Sequence, residues 1–143
     1  MKKFIIFFAI VIIIICGIGY IFINYRANYK EAKIANMKFE NYLNKEIYGS
    51  DLSTIINRAV DNNEKNLVQK DNKGVYLNND NNSINIDVKM IDNESTYKME
   101  KFYRKGMQNF INYYSNIKFK CTKIEYHHNT KKVKYMLFEQ ITS

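Results

Sequence analysis

The stretch FIIFFAIVIIIICGIGYIFI, residues 4–23, carries no charged side chain. Its twenty residues, at a rise of about 1.5 Å each, make a helix of roughly 30 Å, the thickness of a bilayer's hydrocarbon core. Fifteen of them are Ile, Val or Phe, and each favours insertion by about 0.3 to 0.6 kcal/mol. A helix in a soluble core would show a polar side, and this one has none. The run reads as a transmembrane anchor.

Cleavage and lipidation are the competing fates. A signal peptide has an apolar region of about 7 to 15 residues and a small-x-small cleavage site. The chain that follows, NYRANYKEAKIAN, places no two small residues at that spacing. A lipidated Cys needs a small residue before it, and Ile15 precedes Cys16. The expectation is therefore a retained signal anchor, with a secreted domain as the alternative if the run is cleaved. Arg26, Lys30, Lys33 and Lys38 outnumber Lys2 and Lys3 across the run, which by itself favours a cytoplasmic domain. A short basic start leading directly into an apolar run instead matches uncleaved export signals. The expected location is the cell membrane, spanned once, with the C-terminal domain extracytoplasmic.

Of the 143 residues, 120 lie past Ile23, enough for one small domain. They hold a single cysteine, Cys121, so no disulfide forms within the domain. The net charge of +8 falls to +6 once Lys2 and Lys3 are set aside. Abundant Asn, Lys, Ile and Tyr, with no Pro or Trp, look like AT-rich coding bias. The triplets Asn81-Asn82-Ser83 and Asn93-Glu94-Ser95 match a glycosylation sequon, a match that Asn-rich chains produce by chance.

Beyond the anchor (1–23), Ala35, Phe39, Tyr42, Leu43 and Ile47 recur at helical spacing with no Gly or Pro between Asn24 and Tyr48, which predicts an amphipathic stalk over 24–48. Gly49 ends it, and a head domain fills 49–143. Leu52, Ile55, Ile56, Ala59 and Val60 predict a second helix capped by Ser50 or Asp51, with its exit in Asp61 to Asn66. Leu67 to Lys70 and Val75 to Asn78 flank Asp71-Asn72-Lys73-Gly74, a hairpin turn signal. Ile84, Ile86, Val88 and Met90 alternate with polar residues as in a half-buried strand. Thr96 then caps a long helix, Tyr97 to Ser115, with Met99, Phe102, Tyr103, Gly106, Met107, Phe110, Ile111 and Tyr114 on its core side. Glu100, Lys101, Arg104, Lys105 and Asn109 lie opposite.

The C-terminal stretch IKFKCTKIEYHHNTKKVKYMLFEQI, residues 117–141, predicts a long antiparallel hairpin turning at Asn129-Thr130. In that register Tyr126 faces Val133, Glu125 faces Lys134, Ile124 faces Tyr135 and Cys121 faces Phe138. Tyr126, Ile124, Val133, Tyr135 and Leu137 then pack on one side, Glu125 and Lys134 form an ion pair, and His127 and His128 sit at an exposed tip. Cys121 and His127 are six residues apart on one strand, about 20 Å, too far for a nucleophile and its base. No phosphate-cradling glycine loop and no hydrolase or metalloprotease motif is present.

The expected fold is α+β: a transmembrane helix continuing into a stalk, then a small head with two helices and an antiparallel sheet ending in the long hairpin. The expected function is non-enzymatic, with no catalytic, cofactor or metal residue. A membrane-anchored domain would serve protein–protein interaction as a subunit or accessory of a bacterial envelope assembly, with self-association through anchor and stalk. The alternative is an anionic partner, lipid headgroups, wall polymers or nucleic acid, met by Lys118, Lys120, Lys123, Lys131, Lys132 and Lys134. The pattern lacks the aromatic-rich sheet motif of RNA-recognition domains, which disfavours nucleic acid.

A basic start, an N-terminal apolar helix running into an amphipathic stalk, and a small sheet-bearing head together resemble the plan of type IV pilins and pseudopilins. The resemblance covers the whole chain as architecture and implies assembly at a membrane. Those families close a short leader with Gly and place a Glu five residues into the run; here Lys3-Phe4 stands at that boundary, and Phe4 to Ile23 contains no Glu. No functional residue is carried over.

Overall fold

The computed structural model describes residues 1–91, 94–104 and 106–142. Lys105, Asn93 of the second sequon and the side chain of Arg104 lie outside the described residues. The first helix, α1 (Lys2–Glu40), is 39 residues long, about 58 Å at 1.5 Å per residue. It is the one helix among the described residues long and apolar enough to cross a membrane. No side chain before Ala32 is buried. Ala32, Asn36 and Phe39 are buried, and their spacing of four and three puts them on one stripe against the head.

The stalk helix stops at Glu40, short of the expected Tyr48. Asn44 turns the chain in the left-handed region (φ 60°), a conformation Asn tolerates better than most residues. Its N–H donates to the Cys121 carbonyl at 2.9 Å. Ile47 is thus buried from a short strand, β1 (Glu46–Tyr48), rather than from a helix. Pairing with a neighbouring strand outweighed the helical spacing of the segment.

The second helix, α2 (Gly49–Lys65), begins at the glycine expected to end the first, and it runs through the predicted exit. Leu52, Ile55, Ile56, Ala59 and Val60 are all buried, as their spacing requires. Near its end Asn63, also buried, clamps the start of β2 (Asn85–Lys89): Nδ2 donates to the Ile84 carbonyl at 2.7 Å, and Oδ1 accepts from the Ile84 N–H at 2.8 Å. The Asp71–Gly74 turn forms, with Gly74 at φ 67°, and its arms are joined by one bridge, Lys70 with Tyr76, and by backbone bonds from Leu77 to Gln69 and from Asp71 to Val75, without extending into regular strands.

Ile84, Ile86, Val88 and Met90 are buried in the predicted alternation. The expected helix from Tyr97 is divided. Thr96–Lys98 forms β3 against β2, so Thr96 is a strand residue and not a cap. Two short helices follow, α3 (Met99–Arg104) and α4 (Met107–Tyr114). Gly106 at φ 88° stands just before α4, a backbone angle that no continuous helix contains and that glycine adopts without a Cβ penalty. Met99 and Phe110 are buried, while Tyr103 remains exposed.

Strands β4 (Lys118–Tyr126) and β5 (Val133–Gln140) complete a five-stranded sheet in the order β1-β4-β5-β2-β3. The sheet is mixed, not antiparallel throughout, because β2 runs parallel to β5. The chain between those two strands passes through β3, α3, α4 and β4, a connection long enough for parallel pairing. The α2, α3 and α4 helices cover one face, enclosing Ile86, Val88, Phe119, Cys121, Met136 and Phe138.

The expected hairpin register holds at both ends and fails in the middle. Tyr126 faces Val133 and Cys121 faces Phe138, but Glu125 faces Tyr135 and Ile124 faces Met136. A shift between Glu125 and Tyr126 is undone by another between Cys121 and Lys123. Each bulge reverses the inside–outside alternation of its strand. Met136 and Phe138 therefore enter the core, where regular alternation predicts Tyr135 and Leu137. Tyr126 is 44% exposed, and Glu125 pairs with Lys123 at 2.6 Å instead of with Lys134.

Candidate functional site

Most of the lysines singled out in the sequence lie on the open face of the sheet or at the hairpin tip. On the open face they stand among carboxylates. One row crosses four strands as Glu46, Lys120, Glu139 and Lys89, alternating in sign at successive positions. Lys89 meets Glu139 at 3.2 Å, Lys118 meets Glu46 at 3.4 Å and Lys98 meets Asp87 at 3.7 Å. Cross-strand pairs of this kind contribute a few tenths of a kcal/mol each. Their stronger effect is on the field, since a face of alternating charge cancels at a distance of about one Debye length, near 10 Å. Lys118, Lys120 and Lys123 thus belong to a charge-balanced surface.

The tip is built differently. His127 is 2% exposed, contrary to the expected solvated position, whereas His128 is exposed. The tip folds onto the Asn79–Ser83 loop: Nε2 of His127 lies 2.8 Å from the Ser83 carbonyl, and the Thr130 hydroxyl donates to the Asn81 carbonyl at 2.6 Å. A carbonyl only accepts, so Nε2 carries the proton. Burial is the main cause that holds His127 below the ordinary imidazole range, with Lys134 and Lys132 adding to it and the Ser83 carbonyl and Asp80 opposing.

The tip also grips α1. Lys132 pairs with Glu31 at 2.6 Å, and Asn36 binds the backbone on both sides of Lys132. Lys131 lies at φ 57° with its carbonyl held by Asn36, and Lys134 sits beside His127.

The catalytic candidates do not meet. Cys121 is fully buried, and its thiol is pushed up to about 11 by that burial, so little thiolate is available at neutral pH. Its sulfur faces the Lys123 carbonyl at 3.7 Å, a structural position. Among the described residues no group of three or more His, Cys, Asp or Glu could hold a metal ion.

Sequence reasoning missed a cleft of about 450 Å³ between the end of α1, α2 and the hairpin tip. Lys38, Arg58, Lys65 and Lys132 line it, together with Asp61. Its residues are spread over nearly a hundred positions, so no local motif could announce it. Comparison with family models, curated proteins and solved structures yields no match for this chain.

Proposed function

We propose that the protein is a single-pass, membrane-anchored, non-enzymatic subunit or accessory of a bacterial envelope assembly. It holds a small extracytoplasmic α+β head for contact with other proteins, on a plan similar to that of pilins and pseudopilins. The joint between helix and head carries this reading. Between the end of the apolar run at Ile23 and the first docked residue, Ala32, only about 13 Å of helix intervenes. From there the head is fastened by buried groups rather than by a free linker. Such a joint fixes the height and bearing of the head over the membrane, which a presenting subunit needs and a diffusing domain does not. Tyr25 and Tyr29 are exposed on α1 below the docked segment, and Ile34 and Met37 are exposed on the side of α1 turned away from the head, which leaves apolar contact points on both sides of the helix.

A C-terminally tagged chain should sediment with membranes at 17.1 kDa plus the mass of the tag, resist salt and alkaline extraction, and be digested by protease added to cells stripped of their wall. Photo-crosslinkers at Tyr29 and Met37 should trap a discrete adduct. A trimmed soluble product, or protection from the added protease, would sink the reading.

A further inference from the structure

The cleft between α1, α2 and the hairpin tip differs from the lysine-bearing face of the sheet. Three elements bring four cations to its rim: Lys38 from α1, Arg58 and Lys65 from α2, and Lys132 from the tip. Lys132 is neutralised by Glu31. Among the described residues no ion pair engages Lys38, Arg58, Lys65 or Asp61. After Asp61 offsets one of the remaining three cations, two positive charges are left over a single concave site. On the sheet face, by contrast, lysines and carboxylates alternate.

The wall of the cleft is already committed. Asn36 holds the hairpin backbone, Asn62 Nδ2 donates to the Asn82 carbonyl at 2.8 Å, and Asn82 Nδ2 donates to Asn66 Oδ1 at 3.0 Å. These amides are used in keeping the cleft's shape, while the charged ends above them face solvent. Phe39, Ile84 and Val133 give it an apolar floor. A preformed concavity with a few convergent polar groups is the usual form of a small-ligand site.

Height decides the source of the ligand. Lys38 lies fifteen residues beyond Ile23, about 22 Å along the helix axis, whereas headgroups extend roughly 5 to 8 Å past the hydrocarbon. We propose that this cleft binds a soluble phosphomonoester, whose dianion matches the two uncompensated charges. Arg58 is the group suited to grip two phosphate oxygens at once.

The test uses the full chain in discs of phosphatidylcholine, titrated calorimetrically with glycerol 2-phosphate at pH 8, where the phosphate is a dianion. Saturable one-to-one binding that weakens with salt is expected. R58Q and K65Q, both exposed positions, should each weaken it about tenfold through loss of a charge-assisted hydrogen bond, with circular dichroism unchanged. K118Q and K120Q on the sheet face should leave the midpoint where it was. Absence of saturation, or equal weakening by the sheet-face variants, overturns the site. Discs containing phosphatidylglycerol should not shift the midpoint; competition by that lipid would put a headgroup in the cleft and overturn the soluble ligand.

Discussion

Val133 donates its backbone N–H to Oδ1 of Asn36 at 2.8 Å, across 97 positions of the chain, and Nδ2 of the same amide donates to the Lys131 carbonyl at 2.9 Å. One side chain on the long helix thus replaces a strand partner for the hairpin tip. Replacing Asn36 with Ala strands a buried N–H and removes two hydrogen bonds, at a cost of about 2 to 3 kcal/mol. Urea unfolding of the full chain in neutral micelles should show that loss. A change below about 0.5 kcal/mol, the size of a neutral surface substitution, would mean the joint is ornamental.

The same tip should respond to acid. The folded pKa of His127 is depressed below 6.5, first by burial, so the folded state binds fewer protons there than the unfolded chain. Its contribution to stability is complete above about pH 6.5 and is lost as pH falls through the folded value. Unfolding midpoints compared at pH 7.5 and 5 should therefore drop more in the parent than in His127→Gln, which keeps an N–H for the Ser83 carbonyl. Parallel profiles would assign the acid response to another group.

The bulges of the hairpin make a paired prediction. Met136 is fully buried and Leu137 is only partly so. Met136→Ala should destabilise the head by about 2 to 5 kcal/mol, whereas Leu137→Ala should cost about 1 kcal/mol or less. A reversed order in thermal melts would restore the regular register.

Gly49 tests the seat of α2. A Cβ there would lie 2.7 Å from the carbonyl carbon of Tyr114 and closer still to its oxygen. Both neighbours are backbone and cannot swing aside. Gly49→Ala should cost about 3 kcal/mol or more, read as a fall in melting temperature that Gly106→Ala, acting through backbone strain alone, need not match.

Cys121 should be inert in the folded chain. With its thiol raised to about 11 by burial, labelling by a thiol reagent at pH 8 should require unfolding. The unfolded thiol ionises near 9, so between about pH 9 and 11 the folded state holds the extra proton and its stability falls as pH rises. Rapid native-state labelling at Cys121 would contradict its place in the core.

Much of this molecule was legible from local pattern alone. The apolar run of residues 4–23, the stripe Leu52 to Val60 and the alternation Ile84 to Met90 each carry their period in a short window, and each forms as written. Uncompensated burial energies of about 1.5 to 3 kcal/mol per large side chain leave such segments little choice. Where the window misled, a distant partner had intervened. Ile47 left its helical stripe for a ladder with Phe119, Thr96 of β3 paired with Lys89 of β2, and the shift beside Tyr126 exchanged Tyr135 and Leu137 for Met136 and Phe138. The parallel pairing of β2 with β5, the burial of His127 and the gathering of Lys38, Arg58 and Lys65 have no local signature, because each depends on surfaces supplied by residues far along the chain. Sequence by itself determined that an uncharged helix of membrane-spanning length precedes a small α+β head; only the tertiary structure decided how Asn36 joins them and which basic residues are left without a carboxylate.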